Sequence, residues 1–281
     1  MNTLKAAAVW RPQQTDKSKF EIPRERSYII YMSLDRSDFL SYLTAALEKN
    51  SMSGFAANEQ LKEKLFALTE RMLEVNEHMN LTTIREPHGI IMRHYVDSLS
   101  VAAHIPAGAT VLDIGCGAGF PCLPLALARP DLQITAIDST EKKIRYVAQT
   151  AAMLDILPDT LTAVALRAEE GGSVGGQLRE KFNIVVSRAV AKLSVLGELA
   201  LPCLRVGGSL IALKGERAEE EMNEAAGLSI LGAAPARLVP CPLTPPDGGE
   251  VDRHALVMIE KREKTPKIYP RKYAQILKKP L

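Results

Sequence analysis

Apolar residues in the first third of the chain recur with the spacing of amphipathic helices. The pattern predicts three helices, over residues 37–48, 58–76 and 88–103. In the second helix, Leu61, Leu65 and Leu68 recur at intervals of three and four residues, which places their side chains on one face. Asn58 precedes this helix as its N-terminal cap, because its side chain can accept a hydrogen bond from a free backbone N–H. We therefore expect a helical subdomain over residues 34–105.

In the rest of the chain, short apolar runs are separated by helical stretches. A first strand leads into Asp113, and further strands are predicted over residues 132–138, 160–166, 182–187, 208–214, 230–238 and 254–260. Helices are predicted between them, over residues 139–156, 192–204 and 216–226, with Ser139 as the cap of the first. Strands that alternate with helices form a parallel sheet, which the last two strands would close as an antiparallel pair. We expect an α/β domain over residues 106–262.

The connection after the first strand reads TVLDIGCGAGFPCLP and contains a cluster of glycines. Gly115, Gly117 and Gly119 allow the backbone to turn tightly and to approach a ligand without interference from side chains. A dinucleotide-binding loop would need glycine where Phe120 stands, so the spacing favours the S-adenosylmethionine (SAM) form of the loop over an NAD site. Asp138 ends the following strand, where a carboxylate can accept hydrogen bonds from a ribose hydroxyl.

Seven strands and a SAM-type glycine loop together predict an α/β fold of the class I SAM-dependent methyltransferase type, with a Rossmann-like seven-stranded sheet. Ligands of such sheets bind at the carboxyl ends of the strands, near the point where the strand order reverses. The candidate site residues at strand ends are therefore Asp113, Asp138, the Arg167–Glu169 turn and the Ser187–Ala189 turn.

The net charge of +2 is unevenly distributed along the chain. Residues 261–281 contain eight basic residues and one acidic residue, so the other 260 residues sum to −5. A basic terminus on an acidic body predicts an anionic partner, with nucleic acid as the leading candidate. The alternative is a solvated terminus that only improves solubility. In a basic tail over residues 263–281, the candidate RNA contacts are Arg271, Lys272, Lys278 and Lys279.

The composition excludes several classes of protein. Apolar residues make up 46% of the chain and charged residues 24%, which is the balance of a globular protein. No stretch approaches the roughly 18 uninterrupted apolar residues of a membrane span, and no signal-peptide pattern opens the chain. We therefore expect a cytoplasmic protein, and we expect it to be a monomer. The four cysteines lack metal-ligand spacing, which favours reduced thiols over a zinc site or a disulfide.

Residues 1–33 do not share the periodicity of the rest of the chain. They mix Lys, Arg, Gln and Pro, and they carry the only tryptophan, Trp10. We expect this extension to be disordered. A natural amino terminus could begin at Met32, just before the first predicted helix. Two interpretations stay open, a functional basic arm and an extension that lies upstream of the true start codon.

Six motifs follow one another along the chain. They are NLTTIREP at 80–87, RHYVDSL at 93–99, LDIGCGAGFPCLPLA at 112–126, SRAVA at 187–191, LKG at 213–215 and YPRK at 269–272. Together they closely resemble the glucose-inhibited division protein B family, which comprises bacterial small-subunit ribosomal RNA methyltransferases of the G type. The resemblance extends from about residue 33 to the carboxyl terminus. It is specific, because an unrelated methyltransferase would share only the glycine loop.

The resemblance implies both a reaction and a set of ligand contacts. The family methylates N7 of a guanosine in 16S ribosomal RNA (rRNA) with SAM as cofactor, so the implied partner is the small ribosomal subunit or its precursor. The implied SAM contacts are Gly115, Phe120, the Ala168–Glu169 pair and Arg188. Gly117 and Asp138 are added to this set by the loop and strand arguments given above.

Guanine N7 is a lone-pair acceptor that carries no proton, so methyl transfer to it needs no general base before attack. The five histidines do not cluster in the sequence, and no catalytic base is predicted. Arg188, at the end of the fourth strand, is the candidate for positioning the SAM carboxylate or the base, and a plain salt bridge is the alternative for it. Two alternatives are open for the whole chain: a class I methyltransferase acting on a small molecule, and a non-catalytic nucleic-acid-binding protein with a relict Rossmann core.

Overall fold

The computed structural model describes residues 34–281, so the expectations for residues 1–33 lie outside the described range. Its α-helices are α1 (Arg36–Lys49), α2 (Ser53–Ala56), α3 (Glu59–Met79), α4, α5 (Cys122–Ala128), α6 (Glu141–Met153), α7 (Ala168–Gly171), α8 (Leu193–Ala200), α9 (Ala218–Glu224) and α10 (Tyr273–Lys278). Helix α4 is continuous and consists of Pro87–Ile90, a π-helical segment Ile91–Val96, and Asp97–Ser100. Short 3₁₀ helices cover Ala102–His104, Leu201–Cys203 and Ala226–Leu231.

The strands form one sheet in the order β3-β2-β1-β4-β5-β7-β6. They are β1 (Thr110–Ile114), β2 (Gln133–Asp138), β3 (Leu161–Ala165), β4 (Phe182–Arg188), β5 (Leu204–Lys214), β6 (Arg237–Pro240) and β7 (Ala255–Glu260). Strands β1 to β5 are parallel, and β7 runs antiparallel to both β5 and β6. This order and direction confirm the predicted class I methyltransferase fold. The order reverses at β1, whose neighbours are β2 and β4, and this places the switch point at the glycine loop.

Alternating side chains of the central strands form two apolar layers, one on each face of the sheet. Val111 and Ile184 belong to the layer that packs under α1, α3, α4, α5 and α6. Leu112 and Val185, one residue further along the same strands, belong to the layer under α8 and α10. Successive side chains of a strand point to opposite faces of the sheet. A sheet that is covered on both sides is therefore expected to have apolar residues at odd and at even positions of its strands.

The amino-terminal helices share their apolar core with one face of the sheet. Phe39 of α1 and Leu65 of α3 lie fully buried in the same cluster as Val111 of β1. The buried hydroxyls of Thr69 and Tyr95 are 2.6 Å apart and join α3 to α4. Helix α4 is thereby held against the sheet beside the carboxyl end of β4.

The predicted elements are present, and several of their ends differ. Asn58 caps α3 as predicted, and its Oδ1 accepts a hydrogen bond from Leu61 N at 3.0 Å. Ser139 as the cap of α6 was wrong, because the helix begins at Glu141 and Thr140 occupies the cap position. The Thr140 N–H is instead bound by the carboxylate of Asp138, at 2.8 Å.

Differences of several residues occur in three other elements. The predicted helix over residues 192–204 ends at Ala200, and β5 begins at Leu204, four residues before the predicted start. The predicted helix over residues 88–103 ends at Ser100. The predicted strand over residues 230–238 was wrong in its first half, where the chain is 3₁₀-helical to Leu231. Gly232 then turns at φ +84, and the strand begins only at Arg237.

The carboxyl-terminal residues are folded onto the domain and include helix α10. Arg271 donates hydrogen bonds to Glu198 of α8, whose side chain is fully buried. The guanidinium of Arg179 donates to the carbonyl oxygens of Tyr269 and Thr265, both at 2.8 Å. Within residues 34–281, no helix is both long and apolar enough to pass through a bilayer.

Candidate active site

A cavity of about 580 Å³ opens at the carboxyl ends of β1, β2 and β4. All seven predicted cofactor contacts line it, namely Gly115, Gly117, Phe120, Asp138, Ala168, Glu169 and Arg188. They come from the loop after β1, from the last residues of β2 and β4, and from the start of α7. The topology therefore brings together residues that are up to 73 positions apart in the chain, as the parallel arrangement predicts.

The glycine loop adopts backbone angles that only glycine accepts readily. Gly115, Gly117 and Gly119 have φ values of +71, +54 and +89. A Cβ on Gly115 would lie 2.4 Å from Val190 Cγ2, and one on Gly119 would lie 2.3 Å from Leu123 Cδ1. At Gly117 the nearest atom to a Cβ would be a loop carbonyl oxygen at 3.8 Å. Two of the glycines thus permit close packing of the loop, and the third leaves space that belongs to the cavity.

Asp138 joins the end of β2 to the glycine loop. Its Oδ2 accepts a hydrogen bond from Gly117 N at 3.2 Å, and its Oδ1 accepts one from Thr140 N at 2.8 Å. Each carboxylate oxygen has a second lone pair. Asp138 can therefore hold the loop in place and still accept hydrogen bonds from a ribose hydroxyl in the cavity.

Arg188 lies at the end of β4 and is held by residues of α4. Its Nη1 donates to Arg93 O at 2.6 Å and to Asp97 Oδ2 at 3.2 Å, and its Nη2 lies 3.3 Å from His94 Nδ1. The guanidinium also covers the ring of Phe120, at 5.2 Å from the centroid. These contacts use three of its five N–H groups. Among residues 34–281 no hydrogen-bond partner is found for its Nε–H, so Arg188 can still bind a ligand.

His94 is a buried residue of the cavity wall, and its contacts fix its proton. Arg188 can only donate, so Nδ1 of His94 accepts and the proton of the neutral ring is on Nε2. That nitrogen lies 3.0 Å from Thr82 Oγ1, which also accepts from Ile84 N at 3.1 Å. Burial, followed by the nearby charge of Arg188, lowers the pKa of His94 to about 4. The imidazole is therefore neutral at pH 7.

Two histidines that are far apart in the sequence are connected in the fold through Arg188 and Asp97. His254, just before β7, has its Nδ1 3.1 Å from Oδ1 of Asp97, and the other oxygen of that carboxylate is bound by Arg188. Arg188 in turn contacts His94. His94 and His254 are thus linked through Arg188 and Asp97. Asp97 and His254 were not predicted as site residues, because the sequence gives no signal that α4 and β7 meet here.

Asp113 lies beneath the glycine loop, fully buried at the end of β1. Its Oδ2 accepts a hydrogen bond from Cys122 N at 3.1 Å, and its Oδ1 has no hydrogen-bond partner among the described residues. Burial raises the pKa of Asp113 to about 7. The carboxyl group therefore changes its charge near neutral pH.

The residues predicted to contact RNA have different surroundings. Arg271 is engaged by Glu198, whereas Lys272, Lys278 and Lys279 are exposed. None of these four lines the cavity, although Tyr273 of α10 does. RNA binding by the tail stays a prediction, and Arg271 has a structural partner that explains it without RNA.

The cysteines and acidic residues of the described range do not form a metal site. No group of three or more His, Cys, Asp or Glu residues in that range has a metal-binding arrangement. Cys116, Cys122 and Cys203 are free and buried, and Cys241 is free and half-buried.

Comparison with known proteins identifies the family. A family model described as rRNA small subunit methyltransferase G matches residues 61–241. A Ribosomal RNA small subunit methyltransferase G from Staphylococcus carnosus is 39% identical over 238 residues, which cover 84% of this chain and 97% of that protein. The protein of the same name from Deinococcus radiodurans is 42% identical and covers 75% of this chain and 82% of its own length. The one from Staphylococcus saprophyticus is 38% identical over 86% of this chain and 98% of its own length. Both the match to the family model and the identity to these relatives show that the chain belongs to the rRNA small subunit methyltransferase G family.

Proposed function

We propose that this protein uses SAM to methylate N7 of a specific guanosine in 16S rRNA. The observation that carries the proposal is the cavity at the switch point, where the glycine loop, Asp138 and Arg188 meet in a member of this family. The relatives described above are each named as methyltransferases of small-subunit rRNA. We further propose that the substrate is the RNA of the small subunit or its precursor, and that the protein acts in the cytoplasm as a monomer.

The residues of the cavity fit the chemistry of SAM. Backbone at Gly117 leaves open space beside the loop, which suits the narrow methionine chain. Asp138 has free lone pairs for the ribose hydroxyls, and the turn at Ala168 and Glu169 offers a backbone surface for adenine. Arg188 has the free N–H groups that a methionine carboxylate can accept hydrogen bonds from. SAM supplies an electrophilic methyl group on a positively charged sulfur.

Methyl transfer to N7 requires alignment more than acid–base catalysis. The N7 lone pair forms the new N–C bond, the electrons of the C–S bond return to sulfur, and the positive charge moves from sulfur to the purine. No proton is removed before attack. The protein therefore contributes by holding the acceptor and the methyl group in line, which can lower the barrier by several kcal/mol. The neutral ring of His94 and the apolar Leu81 and Val190 form the cavity wall near Arg188, where a guanine taken out of its stack would be received.

The test is reverse-transcription mapping of N7-methylguanosine in 16S rRNA from cells with and without the gene. We expect one guanosine to lose its methyl group on deletion and to regain it when wild-type protein is supplied. Arg188→Ala should not restore it. Arg205→Ala is the matched control, because Arg205 is an exposed arginine of β5 outside the cavity, and it should restore methylation fully.

An rRNA methylation map that is unchanged by deletion would refute the proposal. SAM binding by the purified protein, combined with an unchanged map, would indicate a small-molecule acceptor instead. Failure to bind SAM at all would indicate a nucleic-acid-binding protein without methyltransferase activity. Together with the expected loss of one methyl group on deletion, these last two outcomes correspond to the three functions that the sequence leaves open.

A further inference from the structure

The carboxylate of Asp97 lies outside the cavity and connects three parts of the fold. Its side chain is 3% exposed, on the segment of α4 that follows the π-helical turn. Oδ2 accepts a hydrogen bond from Arg188 at the end of β4, at 3.2 Å. Oδ1 lies 3.1 Å from Nδ1 of His254, just before β7. Both oxygens are therefore used by groups from other elements.

The contacts around Arg188 restrict how its guanidinium can lie. Asp97 and the carbonyl oxygen of Arg93 bind the same nitrogen, Nη1. The ring of Phe120 covers one face of the guanidinium. With Nη1 fixed by α4, the edge of the guanidinium that carries Nε–H is the part left for a ligand in the cavity. Arg93 belongs to the π-helical segment of α4, and such segments are frequent at functional sites.

His254 bears on the orientation of Asp97. Its hydrogen bond to Asp97, the main cause, raises the pKa of His254 above the ordinary value, and the charges of Asp97 and Asp252 act in the same direction. Burial of the imidazole, and to a smaller extent the charge of Arg188, lower the pKa and act against this shift. Arg93 is paired with Asp252 on the exposed side. Because an ionised carboxylate can only accept, Nδ1 of His254 donates to the second oxygen of Asp97, which leaves the first directed at Arg188.

We propose that Asp97 is a positioning residue that orients Arg188 for the SAM carboxylate, and that His254 supports it by fixing the Asp97 carboxylate. This inference rests on the proposed function only in giving Arg188 a contact with SAM. Through the buried carboxylate of Asp97, helix α4 of the amino-terminal subdomain would contribute to the cofactor site. This role of Asp97 also explains why a polar side chain stands just before β7, although the residues of that strand do not line the cavity.

A purely structural ion pair is the competing explanation. Glu198 and Arg271 are such a pair, because a fully buried carboxylate there binds the arginine of the tail, and neither residue lines the cavity. Arg188 differs, because it lines the cavity and keeps a free Nε–H. The two explanations make different predictions for SAM affinity, and calorimetric titration of SAM into the full-length protein without RNA measures it directly.

We expect Asp97→Asn to raise the Kd for SAM about tenfold, because the amide oxygen can still accept from Arg188 but the negative charge that strengthens this hydrogen bond is lost. His254→Leu should raise the Kd about fivefold on the same scale. His254→Asn keeps a donor near the position of Nδ1 and should stay within about twofold of wild type. Thr69→Val is the matched control, since it removes a buried hydrogen bond to α4 without touching Arg188, and the Kd should not change.

A double-mutant comparison separates positioning from general destabilisation. If Asp97 acts through Arg188, then adding Asp97→Asn to Arg188→Ala should change the Kd for SAM by less than about twofold. Nuclear magnetic resonance should show that Asp97→Asn lowers the pKa of His254 toward its ordinary value. The main cause of the raised pKa is the hydrogen bond to the Asp97 carboxylate, and this substitution removes the carboxylate. Thermal unfolding shows which variants are folded. If Asp97→Asn does not fold, the comparison of His254→Leu with His254→Asn tests the positioning role alone.

Three results would overturn the inference. One is a Kd for SAM that Arg188→Ala leaves unchanged. Another is an Asp97→Asn effect of the same size with and without Arg188, and the third is equal weakening by His254→Asn and His254→Leu. Because no RNA is present, failure of the proposed function would not affect this test. A protein that passes it and leaves the rRNA map unchanged would keep the inference and lose the proposed acceptor.

Discussion

The imidazole of His94 lies flat against the phenyl ring of Phe120, with 4.4 Å between centroids and 13° between the ring planes. The edges of the same imidazole are bound by Thr82 and Arg188. A stacked ring with both nitrogens engaged in this way has one proton position, on Nε2. His94 therefore joins the loop after α3, the glycine loop and β4 without carrying a charge.

We predict that His94 stays neutral with its proton on Nε2 down to about pH 5. Its pKa is lowered to about 4, mainly by burial. In the unfolded chain the ordinary value of 6.5 applies, so the unfolded state binds a proton that the folded state does not. This group therefore contributes stability above pH 6.5 that is lost as the pH falls from 6.5 toward 4. Nuclear magnetic resonance of ¹⁵N-labelled histidine measures both the tautomer and the pKa.

His94→Phe assigns the resonance and serves as the comparison, because it keeps the stacking and removes the titrating group. The free energy of unfolding of this variant should fall less than that of wild type between pH 6.5 and 4. The pKa of His254 should lie above the ordinary value for histidine, whereas that of His94 lies below it. A His94 resonance that titrates near 6.5, or a proton on Nδ1, would contradict the hydrogen-bond assignment.

The cofactor half of the site could be predicted because its signals are local in the sequence. Gly115 and Gly117 follow a buried strand directly, and Asp138 ends the next strand. Parallel strands that alternate with helices bring their carboxyl ends together whatever their side chains are, so topology places Arg188 beside the loop. Chain connectivity and strand periodicity are sufficient for this part.

The positions of the remaining site residues depend on tertiary contacts that cannot be predicted from the periodicity of the sequence. The π-helical turn in α4 adds a residue to the helical repeat and changes which side chains face the sheet, so the position of Asp97 does not follow from a regular helix. His254 reaches it only because β7 returns antiparallel beside β5. Arg271 was predicted as an RNA contact from its charge. Its partner Glu198 is 73 residues away and could not be identified from the sequence.

We predict that Gly117→Ala weakens SAM binding with little loss of stability. A Cβ there meets no atom closer than 3.8 Å, so the folded state tolerates it apart from the cost of a left-handed conformation at φ +54, about 1 kcal/mol. The methyl group would, however, occupy cavity space against the loop. Isothermal titration with SAM and urea unfolding measure the two effects separately.

Gly54→Ala is the control, because Gly54 lies in α2, where an added Cβ would have no atom within 4 Å and the backbone angle is not left-handed. It should leave the Kd for SAM unchanged and stabilise the fold by up to about 1 kcal/mol. Equal effects of the two substitutions on SAM affinity would show that the loop at Gly117 does not face the cofactor.

We predict that Asp113 makes the protein less stable as the pH rises from about 4 to about 7. Its pKa is raised from 3.8 to about 7, so within this window the folded state holds a proton that the unfolded state has lost. In wild type, the free energy of unfolding should fall by about 1 kcal/mol per pH unit within this window. Asp113→Asn cannot ionise, so its free energy of unfolding should not show this decrease. Urea unfolding at several pH values gives the comparison. Parallel stability curves for wild type and variant would mean that Asp113 is ionised across the window.

We predict that helix α10 and the residues beside it have two separable functions. Arg271 satisfies a fully buried carboxylate, so Arg271→Ala should cost about 3–5 kcal/mol in the free energy of unfolding. Lys272, Lys278 and Lys279 are exposed, and replacing all three by alanine should change stability by about 0.5 kcal/mol or less per residue. If these lysines contact rRNA phosphates, the triple variant should bind a 16S rRNA fragment more weakly.

The salt dependence of that binding distinguishes a phosphate contact from any other effect. Each lysine that neutralises a phosphate contributes close to one unit to the slope of log affinity against log salt concentration, or about 0.7 on single-stranded RNA. The triple variant should therefore show a slope that is lower by about two to three. Its affinity for SAM should match that of wild type, because none of the three lines the cavity. An unchanged slope would leave this segment with only the structural task that Arg271 performs.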